Sequence, residues 1–180
     1  MLTITVPAIE MWDEAKEEFV NAKEQTLLLE HSLVSLSKWE QKWHKSFLFT
    51  KDITFEESIS YIKCMTLNED VDQDVYSRLT RKNIDDINNY IKDPMTATTF
   101  RNIDNGRKNG EIVTAELIYY WMISLGIPFE CREWHLNQLI TLIRVCSIKN
   151  SPNKKMSRRE LMSQNAALNA ARRQQLNSRG

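Results

Sequence analysis

The order of apolar and polar positions predicts a short β element at the start of the chain. Leu2, Ile4 and Val6 alternate with polar residues at a period of two, which is typical of a strand, and Pro7 interrupts the pattern. The charged stretch 13–20 predicts a turn into a second strand, and residues 26–31 predict a third. Residues 1–31 therefore indicate an antiparallel β element.

A different period follows, and it predicts helices. Residues 32–43 place their leucines and tryptophans within an arc of about 120° at helical spacing, with Ser32 as the N-cap. Thr54 and Glu57 form a capping-box signature, which predicts a helix over 55–65. Residues 71–94 predict a short helix, a break near Thr80 and a second helix that ends before Pro94. Residues 101–111 predict a flexible loop.

Two apolar segments predict an αα hairpin. Residues 114–126 are apolar almost throughout, which predicts a buried central helix between a Thr114 cap and a Gly126 stop. The next helix carries its apolar residues on one face: Leu136, Leu139, Ile140, Ile143 and Cys146. Because the connection is short, the two helices are expected to pack antiparallel and to form the core.

These elements predict an α+β fold, mainly α, in which a helical bundle with a central αα hairpin follows the β element. The predicted globular domain covers residues 1–148, with β structure over 1–31 and helices over 32–148. Lysines and arginines number 24, as do acidic residues, but eight basic residues and one acid lie within 149–180. An acidic body of net charge −7 is thus followed by a basic C-terminal extension of +7.

Candidate chemistry is sparse. Three cysteines without a CxxC pair favour a reduced compartment, and no apolar run is long enough for a membrane span. His31, His44 and His135 are scattered and fit no metal or catalytic spacing, so each is expected to be structural. No phosphate-binding loop or nucleophile elbow appears either. We therefore assign no catalytic residue, metal or cofactor and do not expect an enzyme.

The C-terminal extension is the candidate functional segment. Ser157 and Glu160 form a capping box before a thin apolar stripe, and paired arginines lie within the same segment. Three interpretations are open: phosphate binding, a solvated tail that balances the acidic body, and a segment that becomes ordered on a partner. The extension has no aromatic residues to stack on bases, which disfavours the first interpretation, and the last of the three is favoured. The hypothesised partner-binding residues are Leu161, Leu168, Leu176, Arg158, Arg159, Arg172 and Arg173.

Several stretches carry a resemblance to a known family. They include TITVPAIEMWDE, KEQTLLLEHSLVSLSKWEQKWHKSF, PMTAT, EIVTAELIYYWMISLGIPFE, WHLNQLITLIRVCSIKN and MSRRELMSQNAALNAARRQQLNSRG. Together they resemble the tail assembly chaperones of siphophages that infect Gram-positive bacteria, over nearly the whole chain.

The resemblance implies a function without catalysis. Such chaperones hold the long tape measure protein in the host cytoplasm while tail tube subunits assemble around it, and they leave before the virion is complete. The implied partners are the tape measure protein and, less directly, the tail tube protein, and self-association is left open. The alternatives are a structural virion protein, such as a head–tail connector or minor tail component, and, less favoured, a nucleic-acid-binding accessory protein.

Overall fold

The computed structural model describes residues 1–13, 18–100, 112–150, 162–163, 165–169 and 172–173 of the chain. The chain divides into two compact units, Met1–Ser147 and Ile148–Gly180. In the described part, the first unit is mainly helical, with short antiparallel β structure at its N-terminal end. The predicted α+β class, mainly α, is therefore confirmed.

The β element is built from antiparallel pairs. Among the described residues it contains the strands β1 (Leu2–Val6), β2 (Ile9–Asp13), β3 (Glu18–Ala22) and β4 (Gln25–Leu29). β1 pairs with β4, and β2 pairs with β3. The alternation that predicted β1 buries Ile4 and Val6 and leaves Thr3 and Thr5 exposed. The predicted β element over residues 1–31 is confirmed, and the chain after Pro7 forms the separate strand β2.

Helix α1 (Leu33–Trp43) begins at the predicted cap. The Ser32 hydroxyl accepts from the Ser35 backbone N–H at 3.3 Å, and the Ser32 N–H donates to the Ser35 hydroxyl at 2.9 Å. Two otherwise unpaired amides are thereby satisfied at the start of the helix. The helix ends at His44, whose left-handed φ of +54° stops the helical path.

The next two helices also begin at side-chain caps. Helix α2 (Phe55–Met65) begins after Thr54, which forms the predicted capping box with Glu57. Helix α3 (Arg81–Lys92) begins after Thr80, where Asn83 completes a similar box. The short helix predicted before the break is the 3-10 helix Gln73–Arg78. The predicted break near Thr80 and the predicted end before Pro94 are both confirmed.

The sequence overstated the burial of helix α4 (Ala115–Ser124). Its buried side chains are Ala115, Ile118 and Met122, whereas Tyr120 is 63% and Ile123 is 72% exposed. The prediction of a helix buried on every side is therefore wrong, because only one stripe of α4 packs on the core. The stop at Gly126 is confirmed by its φ of +66°.

A buried glutamate replaces the predicted cap at the start of α4. Thr114 occupies the N-cap position, but its side chain makes no capping hydrogen bond. The Ala115 backbone N–H donates instead to Glu40 Oε2 of α1 at 2.7 Å. The other carboxylate oxygen of Glu40 accepts from the Phe47 backbone N–H at 3.0 Å. One side chain therefore fixes the loop after α1 and the beginning of α4.

Two hydrophobic clusters form the core of the first unit. The first joins β1, β4, α2 and α3 with Trp39 of α1. The second joins α4, the 3-10 helix Phe129–Glu133 and helix α5 (Leu136–Asn150) with Leu33 and Leu36 of α1. The two helices of the predicted hairpin thus contribute to the second cluster, and the expectation that they form the core by themselves is wrong.

Trp39 provides a test of this arrangement. Its side chain is fully buried, and its indole N–H donates to the Glu57 carbonyl oxygen at 2.9 Å. Trp39→Phe should lower the free energy of unfolding by about 2–3 kcal/mol, because it leaves a gap and removes a buried hydrogen bond. Urea denaturation followed by circular dichroism measures the change.

Trp43→Phe is the matched control. The Trp43 side chain is half-buried, and its indole N–H donates to the Ser60 hydroxyl at 3.0 Å. The loss should stay below about 1 kcal/mol, because water can replace the lost partner. Equal losses for the two variants would contradict the central position of Trp39.

Candidate partner-binding groove

The structure locates part of the hypothesised partner-binding stripe. Leu168, Arg172 and Arg173 lie in helical stretches of the second unit and are exposed, Leu168 to 49%. The other hypothesised residues lie outside the described part of the chain: Leu161, Leu176, Arg158 and Arg159. Their role therefore stays a prediction.

An apolar groove of about 240 Å³ lies between α2 and α3 of the first unit. Its most deeply buried lining residues are Tyr61, Ile62 and Ile87, each no more than 5% exposed. Ile59, Ile84 and Ile91 are half-buried lining residues. Phe55 also lines the groove, and its ring is 78% exposed. An exposed phenylalanine beside buried isoleucines is typical of a surface that receives a partner side chain.

Helical periodicity explains why the groove forms. On α2, Phe55, Ile59 and Ile62 follow the i, i+4, i+7 spacing of one face. On α3, Ile84 and Ile91 are seven residues apart and share a face. Each helix therefore carries a groove-facing stripe beside its core-facing stripe. The sequence indicated such a surface, since both helices hold more apolar residues than one packing face requires. The position of the groove became evident only from the arrangement of the two helices.

Aromatic packing holds the buried end of the groove in place. Phe47 stacks on Tyr61 with ring centroids 3.9 Å apart, and it meets the Trp39 ring edge-on at 5.1 Å. Burial raises the pKa of Tyr61 well above its ordinary value, so the phenol stays neutral. Its hydroxyl is hydrogen-bonded to Nδ1 of His31. The groove is therefore preformed, and a partner need not order it.

A charged network fixes the start of α2, where Phe55 lies. Lys45 Nζ lies 2.6 Å from Glu57 Oε1, and the Thr54 backbone N–H donates to Glu57 Oε2 at 2.8 Å. The hydrogen bond from Lys45 is the main reason that the pKa of Glu57 lies below its ordinary value. The exposed Phe55 ring is thus carried on a well-anchored helix terminus.

The structure brings together two histidines that the sequence left scattered. The His31 and His135 rings meet edge to face with centroids 5.1 Å apart. His135 Nε2 lies 3.0 Å from the Tyr90 carbonyl oxygen, which can only accept, so this nitrogen carries the proton. The Leu136 backbone N–H donates to the His31 carbonyl oxygen at 2.7 Å, which ties α5 to the start of α1.

Burial makes this histidine pair structural. His31 and His135 are 2% and 5% exposed, so a substrate has no access to either ring. Burial and the neighbouring His135 lower the pKa of His31 to about 3, which keeps its imidazole neutral at pH 7. The structure thus favours the predicted structural role for both residues, although their contact was not expected.

The part of the chain that the structure describes offers few features for metal binding or thiol chemistry. It holds no group of three or more histidine, cysteine or acidic side chains arranged to bind a metal ion. Burial raises the pKa of the Cys64 and Cys131 thiols, which disfavours the reactive thiolate. No helix among the described residues has the length and apolar character needed to cross a bilayer. Comparison with protein-family models, curated proteins and solved structures finds no match to this chain.

The buried His31 should make stability depend on pH. Its pKa is about 3 in the folded chain, against an ordinary value of 6.5, so the unfolded chain binds the proton first. The stabilising contribution is complete above pH 6.5 and is lost as the pH falls. Between pH 6.5 and 5, the free energy of unfolding should decrease by about 1.4 kcal/mol per pH unit from this residue.

Urea titrations at pH 7.0, 6.0 and 5.0 measure this slope. His31→Gln removes the titrating group and should flatten the slope by one proton, since an amide can still reach the Tyr61 hydroxyl. His44→Gln replaces an exposed histidine in the same way and serves as the matched control. An unaltered slope in His31→Gln would show that His31 does not titrate as the burial requires.

Proposed function

We propose that this chain is a non-enzymatic phage tail assembly chaperone that holds the tape measure protein during tail morphogenesis. The observation that carries the proposal is the preformed apolar groove between α2 and α3, with the exposed Phe55 beside it. The resemblance to siphophage tail assembly chaperones supplies the partner. The proposed location of this activity is the host cytoplasm.

The dimensions of the groove suit a helical partner. Helix α2 has 11 residues, which corresponds to about 16 Å at 1.5 Å per residue, or about three helical turns. A helix of that length presents three or four apolar side chains at i, i+4 and i+7 spacing, which is the usual helix-in-groove arrangement. Tape measure proteins are expected to be long and helical, so they offer many such segments.

A second apolar surface is compatible with the same role. Tyr120 and Ile123 of α4 and the preceding Ile112 are all more than half exposed. A holdase covers apolar faces that would otherwise aggregate, and exposed apolar residues on its own surface serve that purpose. The hypothesised stripe of the C-terminal extension adds a further proposed contact, through Leu161, Leu168, Leu176, Arg158, Arg159, Arg172 and Arg173.

The leading alternative is a structural virion protein, such as a head–tail connector or minor tail component. The same groove would then bind a permanent neighbour in the particle. The nucleic-acid alternative has less support, because residues 1–148 carry a net charge of −7 and the candidate groove is apolar. The chaperone and the structural virion protein differ in whether the protein remains in the particle.

Phe55→Ala tests the groove. The ring is 78% exposed, so the free energy of unfolding should change by less than about 0.5 kcal/mol. Affinity for the tape measure protein of the same phage should fall at least about ten-fold, as expected when a central apolar contact is truncated. Co-expression of the two proteins followed by calorimetry of the purified components measures both quantities.

Leu67→Ala is the matched control, because Leu67 is 54% exposed and does not line the groove. It should weaken binding less than Phe55→Ala. A chain that ends at Lys149 tests the extension in the same assay, and it should lose binding while its first unit stays folded. Equal affinities for Phe55→Ala and the unaltered chain would rule out the groove as the binding surface.

Mass spectrometry of virions tests the function as a whole. An assembly chaperone should be abundant in infected-cell lysate and missing from purified virions of the same phage, because it leaves before completion. The tail tube protein serves as the internal standard for both samples. A fixed stoichiometry in the virion would instead support the structural alternative.

A further inference from the structure

The α3 wall of the apolar groove is interrupted by one polar side chain. Ile84, Asn88 and Ile91 line this wall at the i, i+4, i+7 spacing of one helical face. At a rise of 1.5 Å per residue, Asn88 lies about 6 Å from Ile84 and about 4.5 Å from Ile91 along the helix axis. A carboxamide is therefore placed near the middle of an otherwise apolar wall.

The other polar groups that line the groove already have partners inside the protein. The Ser58 hydroxyl donates to the Thr54 carbonyl oxygen at 3.0 Å, and the Tyr61 hydroxyl is hydrogen-bonded to Nδ1 of His31. Asn88 is exposed, and its side chain makes no hydrogen bond to another described residue. Its amide therefore offers two donor hydrogens and one acceptor oxygen to a molecule that enters the groove.

Three other asparagines show the contacts that this side chain makes when its role is structural. The side-chain amides of Asn83 and Asn137 donate to backbone carbonyl oxygens of other segments, at 3.2 Å and at 2.8–2.9 Å. Asn68 accepts from the backbone N–H of Leu28 at 2.7 Å. Asn88 makes no comparable contact in the described part of the chain, so its amide is available to a partner.

A helix that lies in the groove must cover this amide. If the partner places a leucine over Asn88, the donors and the acceptor lose their water and gain nothing in exchange, which weakens binding. An asparagine or glutamine at that position of the partner both donates and accepts, so it replaces the lost water. A single amide pair within an apolar seam is a general way to fix the register of two helices.

The charges beside Asn88 indicate that its counterpart is neutral. The exposed Asp85 and Lys92 lie three residues before and four residues after Asn88, on the same side of α3. Their charges are opposite, so neither an acidic nor a basic partner residue is favoured midway between them. A charged side chain pressed between the isoleucines would lose its hydration without gaining a close ion pair.

We propose that Asn88 sets the register of a helix bound in the groove, by pairing with an asparagine or glutamine of the partner. The partner segment is then an amphipathic helix whose apolar stripe is interrupted once by a carboxamide. This inference rests on the proposed function, because it takes the groove to hold a helix. It adds which of the many apolar segments of a long helical partner is held, and at which position.

Two blocked helical peptides of about five turns test this pairing. The leucine peptide carries leucine along one face and alanine, lysine and glutamate elsewhere, and the asparagine peptide has asparagine in place of the central leucine. The full chain should bind the asparagine peptide about ten-fold more tightly, as measured by fluorescence anisotropy of the labelled peptides. Amide signals of α2 and α3 in the ¹⁵N-labelled chain should shift with either peptide, which locates the binding.

Two leucine variants test the role of Asn88 itself. Asn88→Leu should reverse the preference, so that the leucine peptide binds about ten-fold more tightly, because the unpaired amide is now on the asparagine peptide. Asn89→Leu is the matched control, since Asn89 is the next residue of α3, is exposed and does not line the groove. It should keep the preference of the unaltered chain. Circular dichroism checks that both variants retain the helical content.

A third peptide separates register from composition. It keeps the leucine face intact and carries its asparagine on the opposite face, and it should bind as weakly as the leucine peptide. Binding as tight as that of the asparagine peptide would mean that the position of the asparagine is not recognised, and it would overturn the proposal.

The remaining outcomes distinguish this inference from the proposed function. Equal affinities of the unaltered chain for the leucine and asparagine peptides, or a preference that survives Asn88→Leu, would overturn the role of Asn88 and leave the groove as a binding surface. Binding of neither peptide, or signal shifts confined to residues outside α2 and α3, would show that the groove holds no helix. That result would overturn the proposed function of the groove together with this inference.

Discussion

Helix α1 is the element on which the packing of the first unit depends, because both hydrophobic clusters use it. Trp39 enters the first cluster, and Leu33 and Leu36 enter the second. Glu40 on the same helix accepts backbone hydrogen bonds from the loop after α1 and from the beginning of α4. Burial raises the pKa of Glu40 even though both hydrogen bonds favour its charged form. A helix of 11 residues therefore joins the cluster that contains the sheet to the cluster that contains α4 and α5.

Local signals in the sequence were sufficient to predict most elements. The hydroxyls of Ser32, Thr54 and Thr80 satisfy free amides within the next turn, so the start of each helix is decided by neighbouring residues. The stop at Gly126 is equally local, since it depends on one positive φ. Period-two alternation likewise predicted which side of β1 is buried. Each of these features depends on residues only a few positions apart.

Features that depend on distant residues could not be predicted in the same way. The apolar composition of α4 suggested burial on every side, but composition does not tell which stripe finds a neighbour, and Ile123 remains exposed. The contact between His31 and His135 and the groove between α2 and α3 both require the assembled fold. The candidate function therefore comes partly from a resemblance and partly from a surface that became evident only in three dimensions.

The positions of the two clusters along the sequence have a consequence for folding during synthesis on the ribosome. Residues that complete the first cluster have all been made by Ile91, whereas α4 and α5 supply the second cluster from Val113 onward. Domains generally fold as their segments emerge, so the sheet, α1, α2 and α3 can fold first. Leu33 and Leu36 then stay exposed until α4 and α5 have emerged and can pack on them. The nascent chain thus passes through a stage at which α1 is packed on one side and bare on the other.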